Sequence, residues 1–209
     1  MSGSAAVVRR VVDVAAATIG LAVTAPVVVV AAGVVRVALG RDVLFRQVRL
    51  GRAGRPFTLL KFRTMKHAAP GRDGPEFDRE RLSTLGTWLR RTSIDELPSL
   101  WNLLRGDITL VGPRPLPVHY WDRYRGTEYR RFEVKPGITG LAQVNGRNLV
   151  DWPERLALDV QYVTTRSLRG DLRILLRTVP TVLSGNGVSN GTVVTMHAMP
   201  DDRPAAADL

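Results

Sequence analysis

At 209 residues the chain is long enough to bury one sizeable core and too short for two large domains. It has no cysteine, which excludes disulfides and thiolate metal sites and fits a cytoplasmic environment. Thirty Lys and Arg against nineteen Asp and Glu give a net charge of +11, so an anionic partner is implied: nucleic acid, anionic lipid headgroups and nucleotide phosphates all qualify.

The N-terminus narrows that choice. Val14 to Val35 is an uncharged run of 22 residues rich in Val and Ala. About 20 apolar residues span a bilayer, and a signal-peptide core is shorter. Arg9 and Arg10 precede the run, and Arg36, Arg41, Arg46 and Arg49 follow it. A simple crossing favours one basic side. With both flanks basic and Pro26 near the middle, where it removes a ladder donor, the run is expected to dip into the membrane and return to the same face. A proline-kinked transmembrane helix is the alternative. A buried soluble helix fits least, since the run shows no polar face.

Val43–Val48 and Pro56–Phe62 are β-prone and separated by a glycine-rich basic turn, which predicts a hairpin. Lys61 and Arg63 alternate along its second strand. Residues 67–80 hold Pro70, Gly71, Gly74 and Pro75 and read as a mobile loop or lid. A helix is expected over 79–91, with Leu82, Leu85, Trp88 and Leu89 as its apolar stripe.

The stretch Arg90–Pro115 carries the most chemistry. Leu97, Leu100, Trp101 and Leu104 have helical spacing. Ser93 and Glu96 have the spacing of a capping box. Pro98 is tolerable only in a first turn, so the helix starts near Ile94 or restarts at Pro98. Either way Asp95 and Glu96 fall at the positive helix end, where both carboxylates are expected to be ionised. Ile108–Val111 then reads as a short extended run, and prolines on both sides of Arg114 hold it in a rigid turn. Capping alone explains Ser93, Asp95 and Glu96. The adjacent carboxylates also suit nucleophile and metal-ligand roles, and the flanking arginines suit phosphate.

Residues 118–132 interleave Tyr120, Trp121, Tyr124 and Tyr129 with basic residues, a pattern for RNA stacking or for an interfacial helix; the apolar run favours the interface. In Lys135–Asn148 glycines permit close backbone approach to a ligand, and Asn145, Arg147 and Asn148 suit nucleotide or sugar hydroxyls. A tight structural loop is the plain alternative. Residues 152–179 read as one or two helices, with Arg173 and Arg177 suited to a membrane face. From Gly185 onward the composition is that of a loose tail.

Four motifs in order, KFRTM, SIDELPSLWNLL, RGDITLVGPRP and PGITGLAQVNGRN, resemble the bacterial sugar transferase family of monotopic polyprenyl-phosphate glycosyl-1-phosphate transferases. The resemblance runs from about Arg10 to Val179. It implies an α+β, mostly α fold: a re-entrant membrane anchor over 1–40 broken at Pro26, a compact catalytic domain over 41–185 with a small hairpin and interfacial helices, and a tail over 186–209. Where the family often has Ser before this proline, the chain has Ala25. The implied reaction moves a sugar-1-phosphate from a UDP-sugar to polyprenyl phosphate and releases UMP, at the cytoplasmic face of a bacterial plasma membrane, in surface-glycan synthesis. Asp95 is the implied nucleophile, Glu96 the Mg²⁺ ligand, and Arg90 and Arg114 the phosphate clamp. Lys61 and Arg63 belong to the site wall, and Asn145 and Arg147 to the substrate contacts. Membrane lipids are implied partners and nucleic acid is not; a homodimer is left open. The alternatives are an inactive membrane scaffold of the same family and a basic nucleic-acid-binding module.

Overall fold

The computed structural model describes residues 3–72, 77–146, 150–183 and 198–200. It opens with α1, Gly3–Leu39, a helix of 37 residues and on the order of 55 Å. This helix is long and apolar enough to cross a membrane. Pro26 lies inside it, and the helix runs on through the proline. Two residues earlier the Thr24 hydroxyl donates to the Gly20 carbonyl at 2.6 Å, a back-bond of the kind that bends helices.

Both ends of α1 are built into the globular body. In its first half Ala17 is packed with Leu103 and Ile108. Near its end Ala31 and Val35 are packed with Phe62 and Leu89. Between them Ile19, Val23, Val29 and Val30 are exposed. Arg10 donates to the carbonyls of Leu103 and Leu104 at 2.9 and 2.7 Å. Asp13 accepts from the Thr109 hydroxyl and the Leu110 amide at 2.8 and 2.9 Å. Arg9 pairs with Asp171 at 2.6 Å. The residues that read as a basic flank therefore hold the helix to the body.

The expected hairpin forms, with β1 (Leu44–Leu50) antiparallel to β2 (Pro56–Phe62) and Leu44 opposite Phe62. The helix expected over 79–91 is two: α2 (Asp78–Arg81) and α3 (Thr84–Arg91). Leu82 is extended between them, and the Ser83 hydroxyl caps α3 by accepting from the Gly86 amide at 2.9 Å. The lid reading falls partly outside the described residues, at 73–76.

After α4 (Ser99–Arg105), β3 (Thr109–Val111) pairs in parallel with β4 (Gly137–Thr139). The helices α5 (Leu141–Val144), α6 (Trp152–Thr165) and α7 (Leu168–Leu183) complete a mostly helical α+β fold. Residues 118–132 differ from the interfacial helix expected. They form two 3₁₀ segments, and Tyr120, Tyr124 and Phe132 are buried with Trp152 and Leu156. Edge-to-face packing, as between Tyr124 and Phe132 at 5.0 Å, holds Tyr120 and Tyr124 in the core, while Trp121 and Tyr129 stay exposed. Most of the tail lies outside the described residues; at 198–200, Met199 is seated in that same core.

Candidate active site

The turn between α3 and α4 builds the site. Ser93 is left-handed at φ 58 and makes no side-chain cap, so the capping box does not form; the Glu96 amide donates to the Ser93 carbonyl instead. A left-handed non-glycine residue costs about 1 kcal/mol, and here it reverses the chain into a three-residue 3₁₀ turn, Ile94–Glu96. Of the two expected helix starts, the restart at Pro98 is the one observed: Pro98 is the residue before α4, and the Ser99 hydroxyl donates to the Glu96 carbonyl at 2.6 Å.

Asp95 is buried in this turn, 8% exposed. Burial, then the neighbouring Glu96, pushes its carboxyl up to about 6, while Lys61, Arg90 and Arg114 oppose the shift. Asp95 is still ionised near neutral pH, as expected, but the expectation that a helix end makes that charge comfortable is corrected. A three-residue turn supplies little dipole, and loss of water dominates.

Around the carboxylates the fold gathers cations from distant segments. Lys61 on β2 pairs with Glu96 Oε1 at 2.5 Å, and Arg114 Nη2 lies 3.5 Å from the same oxygen. Burial lowers the Lys61 ammonium, with Glu96 resisting. Arg90, in the last turn of α3, donates through Nε to the Thr64 hydroxyl at 3.0 Å and feels the charge of Asp95. Arg91 is exposed, so of the two adjacent arginines Arg90 is the one placed beside the carboxylates. Arg49 lines the same cleft as Lys61, Glu96, Ser99 and Arg114, and its guanidinium is lowered to about 10 by burial and then by Arg114. Four cations (Arg49, Lys61, Arg90, Arg114) against two carboxylates leave a surplus of two positive charges, suited to a diphosphate.

Other expected site residues lie elsewhere. Strand β2 ends at Phe62, so the alternation does not extend to Arg63. That guanidinium turns back to the Leu39 carbonyl and His67, with Asp42 at 3.9 Å. Asn145 bonds the Leu141 carbonyl at 2.8 Å and accepts from Arg177 at 3.1 Å. Arg147 and Asn148 lie outside the described residues. The glycines of the KPGITG segment serve packing. A Cβ on Gly137 would lie 2.1 Å from the Gly112 amide nitrogen, and one on Gly140 would lie 2.2 Å from the Gly112 carbonyl. At this point β4 closes on the turn that carries Arg114, and the structural-loop reading holds there.

Among the described residues no group of three or more His, Asp or Glu is gathered to hold a metal. Magnesium commonly takes one or two carboxylates together with substrate phosphates and water. The adjacent Asp95 and Glu96 fit a cation site completed by a bound diphosphate, not a self-contained protein cage.

The family model described as bacterial sugar transferase matches residues 4–185. The chain belongs to the bacterial sugar transferase family. It is 45% identical over 189 residues to the uncharacterized sugar transferase EpsL of Bacillus subtilis, with 90% of this chain and 94% of the relative covered. It is 44% identical over 186 residues to the UDP-glucose:undecaprenyl-phosphate glucose-1-phosphate transferase of Caulobacter vibrioides, with 84% of this chain and 70% of the relative covered. With the exopolysaccharide production protein ExoY of Rhizobium meliloti it shares 34% over 196 residues, covering 86% and 87%. This sugar transferase is thus an enzyme, with Lys61, Glu96 and Arg114 gathered in one cleft and a long apolar helix at its N-terminal end.

The residues that sequence reasoning passes over are those that act at long range. Arg131 is one of them: it forms a buried pair at 2.8 Å with Asp159, 28 residues on, which stands out in the family-like stretch LDVQYV but without a partner that spacing could name. Arg49 reads in sequence as one more basic residue of the hairpin. Its burial depends on β1 lying against the segment after Arg114, which local pattern does not show.

Proposed function

We propose that the enzyme transfers a sugar-1-phosphate from a UDP-sugar to polyprenyl phosphate through a phosphosugar–aspartyl intermediate on Asp95. The observation that carries this reading is a buried carboxylate, raised to about 6, within an excess of cationic side chains. Near neutral pH it is ionised but poorly solvated, which favours nucleophilic attack. An Asp95 oxygen attacks the β-phosphorus, the bond from that phosphorus to the bridging oxygen breaks, and UMP leaves. A polyprenyl phosphate oxygen then attacks the same phosphorus, the acyl-phosphate bond breaks, and Asp95 returns as a carboxylate. Arg114 and Arg90 hold phosphate oxygens through planar donors, and Lys61 balances charge beside Glu96. Glu96, with Asp95 beside it, would hold Mg²⁺, which would supply neutralisation of the diphosphate charge.

The enzyme works at the cytoplasmic face of the bacterial plasma membrane, with α1 entering and returning on the same side. Two observations support this. The first turns of α1, through Arg9, Arg10 and Asp13, and its last, through Val35 and Leu39, both rest on one globular body. Trp88 and Trp101, 54% and 50% exposed, flank the cleft-forming turn on α3 and α4 as interfacial aromatics do. The sugar-1-phosphate transfer stated in the name of the Caulobacter relative supports the chemistry.

The test is UMP release by purified protein from a panel of UDP-sugars with polyprenyl phosphate and Mg²⁺. One sugar is expected to support turnover and to give a lipid-linked diphosphosugar. Absence of UMP release from every UDP-sugar, by protein that stays folded, would favour the scaffold reading and end this proposal.

A further inference from the structure

Arg114 has proline on each side, and neither proline offers an amide donor. The turn therefore cannot tie itself down, and its carbonyls need donors from elsewhere. Four successive carbonyls find four separate ones. Pro113 accepts from the Gly137 amide at 2.9 Å. Arg114 accepts from Arg131 Nη2 at 2.7 Å. Pro115 accepts from Arg49 Nη1 at 3.1 Å. Leu116 accepts from the Leu50 amide at 2.9 Å. The two middle bonds, on the residues nearest the cleft, come from guanidiniums, that of Arg131 buried and that of Arg49 half-buried.

Arg131 is itself fixed. It is 3% exposed. Its Nε and Nη2 donate to Asp159 Oδ2 at 3.1 and 2.8 Å, and Nη1 donates to the Tyr124 hydroxyl at 2.7 Å. A buried ion pair is a poor source of stability compared with apolar packing, because both ions lose water. What this pair provides is a rigid fork whose remaining donor reaches the Arg114 backbone. On the other side of that backbone, the Arg114 guanidinium lies 3.5 Å from Glu96.

We infer that Arg131, locked by Asp159 and Tyr124, is a positioning residue that sets the direction in which Arg114 presents its guanidinium to substrate phosphate. Arg131 touches no reacting atom; it acts through the carbonyl of Arg114. The inference rests on the reading of Arg114 as a phosphate contact, and the test separates the two.

The experiment is a double-mutant cycle on the full chain, with UMP release as the rate and thermal unfolding as the fold control. Arg131→Lys keeps a buried cation for Asp159 and loses the fork. On the wild-type background kcat/KM for the UDP-sugar is expected to fall about tenfold, the size of one lost charge-assisted hydrogen bond. On an Arg114→Lys background, where the planar contact is already gone, the same change is expected to cost about twofold or less. Tyr124→Phe removes one hydroxyl from the lock and keeps the ring. It is expected to show the same dependence on background at smaller size, and it carries the test if Arg131→Lys does not fold. Equal losses on both backgrounds, or a folded Arg131→Lys enzyme of full activity, would overturn the inference. Full activity of Arg114→Lys would instead remove Arg114 from the phosphate site.

Discussion

Replacing Asp95 by asparagine is expected to abolish activity and, above pH 6, to stabilise the protein. Asparagine keeps the shape of the protonated acid and never carries the charge. The Asp95 carboxyl is raised from 3.8 to about 6 because burial and Glu96 disfavour its anion. A group raised in the folded state contributes stability below its unfolded value, and that contribution is lost as pH rises through the folded value. The window here runs from about pH 4 to about pH 6. Two units correspond to about 3 kcal/mol at full ionisation, with the opposing pull of Lys61, Arg90 and Arg114 already contained in that net shift. For a domain of this size that is on the order of 5–10 °C in Tm. The assay is thermal unfolding of both proteins in one detergent from pH 4 to pH 8. The gap is expected to be near zero at pH 4 and to open through pH 6. A gap that does not vary with pH, or an Asp95→Asn protein with a lower Tm than wild type at pH 8, would refute the burial argument.

Arg114→Lys keeps the charge but loses the bidentate fork, so kcat/KM is expected to drop roughly 10- to 100-fold with the protein folded and membrane-bound. Arg52→Lys, at the exposed hairpin turn, serves as the comparison and is expected to change activity less than about twofold; equal losses would assign Arg114 to a general basic field. Gly86→Ala places a Cβ 1.9 Å from the Thr64 carbonyl oxygen, where only backbone can give way. It is expected to cost about 2 kcal/mol or more and to pull Arg90 from Thr64, seen as lower Tm and lower activity together; an unchanged Tm would refute the packing. Cysteines introduced at Ser4 and Arg41 are both expected to resist an impermeant thiol reagent applied to intact cells, and labelling at Ser4 alone would establish a true crossing.

The parts of the fold legible in the sequence are those set by local chemistry. The hairpin follows from two β-prone runs around a glycine-rich turn, and the restart of α4 follows from Pro98. The carboxylate pair and Arg114 stand out because two adjacent acids flanked by arginines, and an arginine between prolines, offer more than a helix cap needs. Lys61 meets Glu96 across 35 residues, and only a motif shared with a family links them in sequence. What local pattern does not show is what happens to groups that leave water. Ser93 resembles a cap because its spacing to Glu96 matches one, but its left-handed backbone sends the side chain elsewhere. Tyr120 and Tyr124 look interfacial because polar residues surround them; tertiary packing puts their rings inside. Arg131 and Asp13 look like surface charge and Arg9 like a basic flank, yet each is buried with a partner far along the chain. Burial of a charge is decided by the whole fold, so a residue's type and spacing give no warning of it.

The central claim is that Asp95 becomes covalently bonded to phosphorus, and single-turnover chemistry tests it most directly. The enzyme is incubated with its UDP-sugar and Mg²⁺, without polyprenyl phosphate, and quenched in acid. UMP is expected to appear up to about one equivalent per active site. The peptide containing Asp95 is expected to gain the mass of the sugar-phosphate, and Asp95→Asn to show neither signal. Addition of polyprenyl phosphate before the quench is expected to remove the adduct and yield the lipid-linked product. UMP release that depends strictly on the lipid acceptor, or an active Asp95→Asn enzyme, would contradict the account.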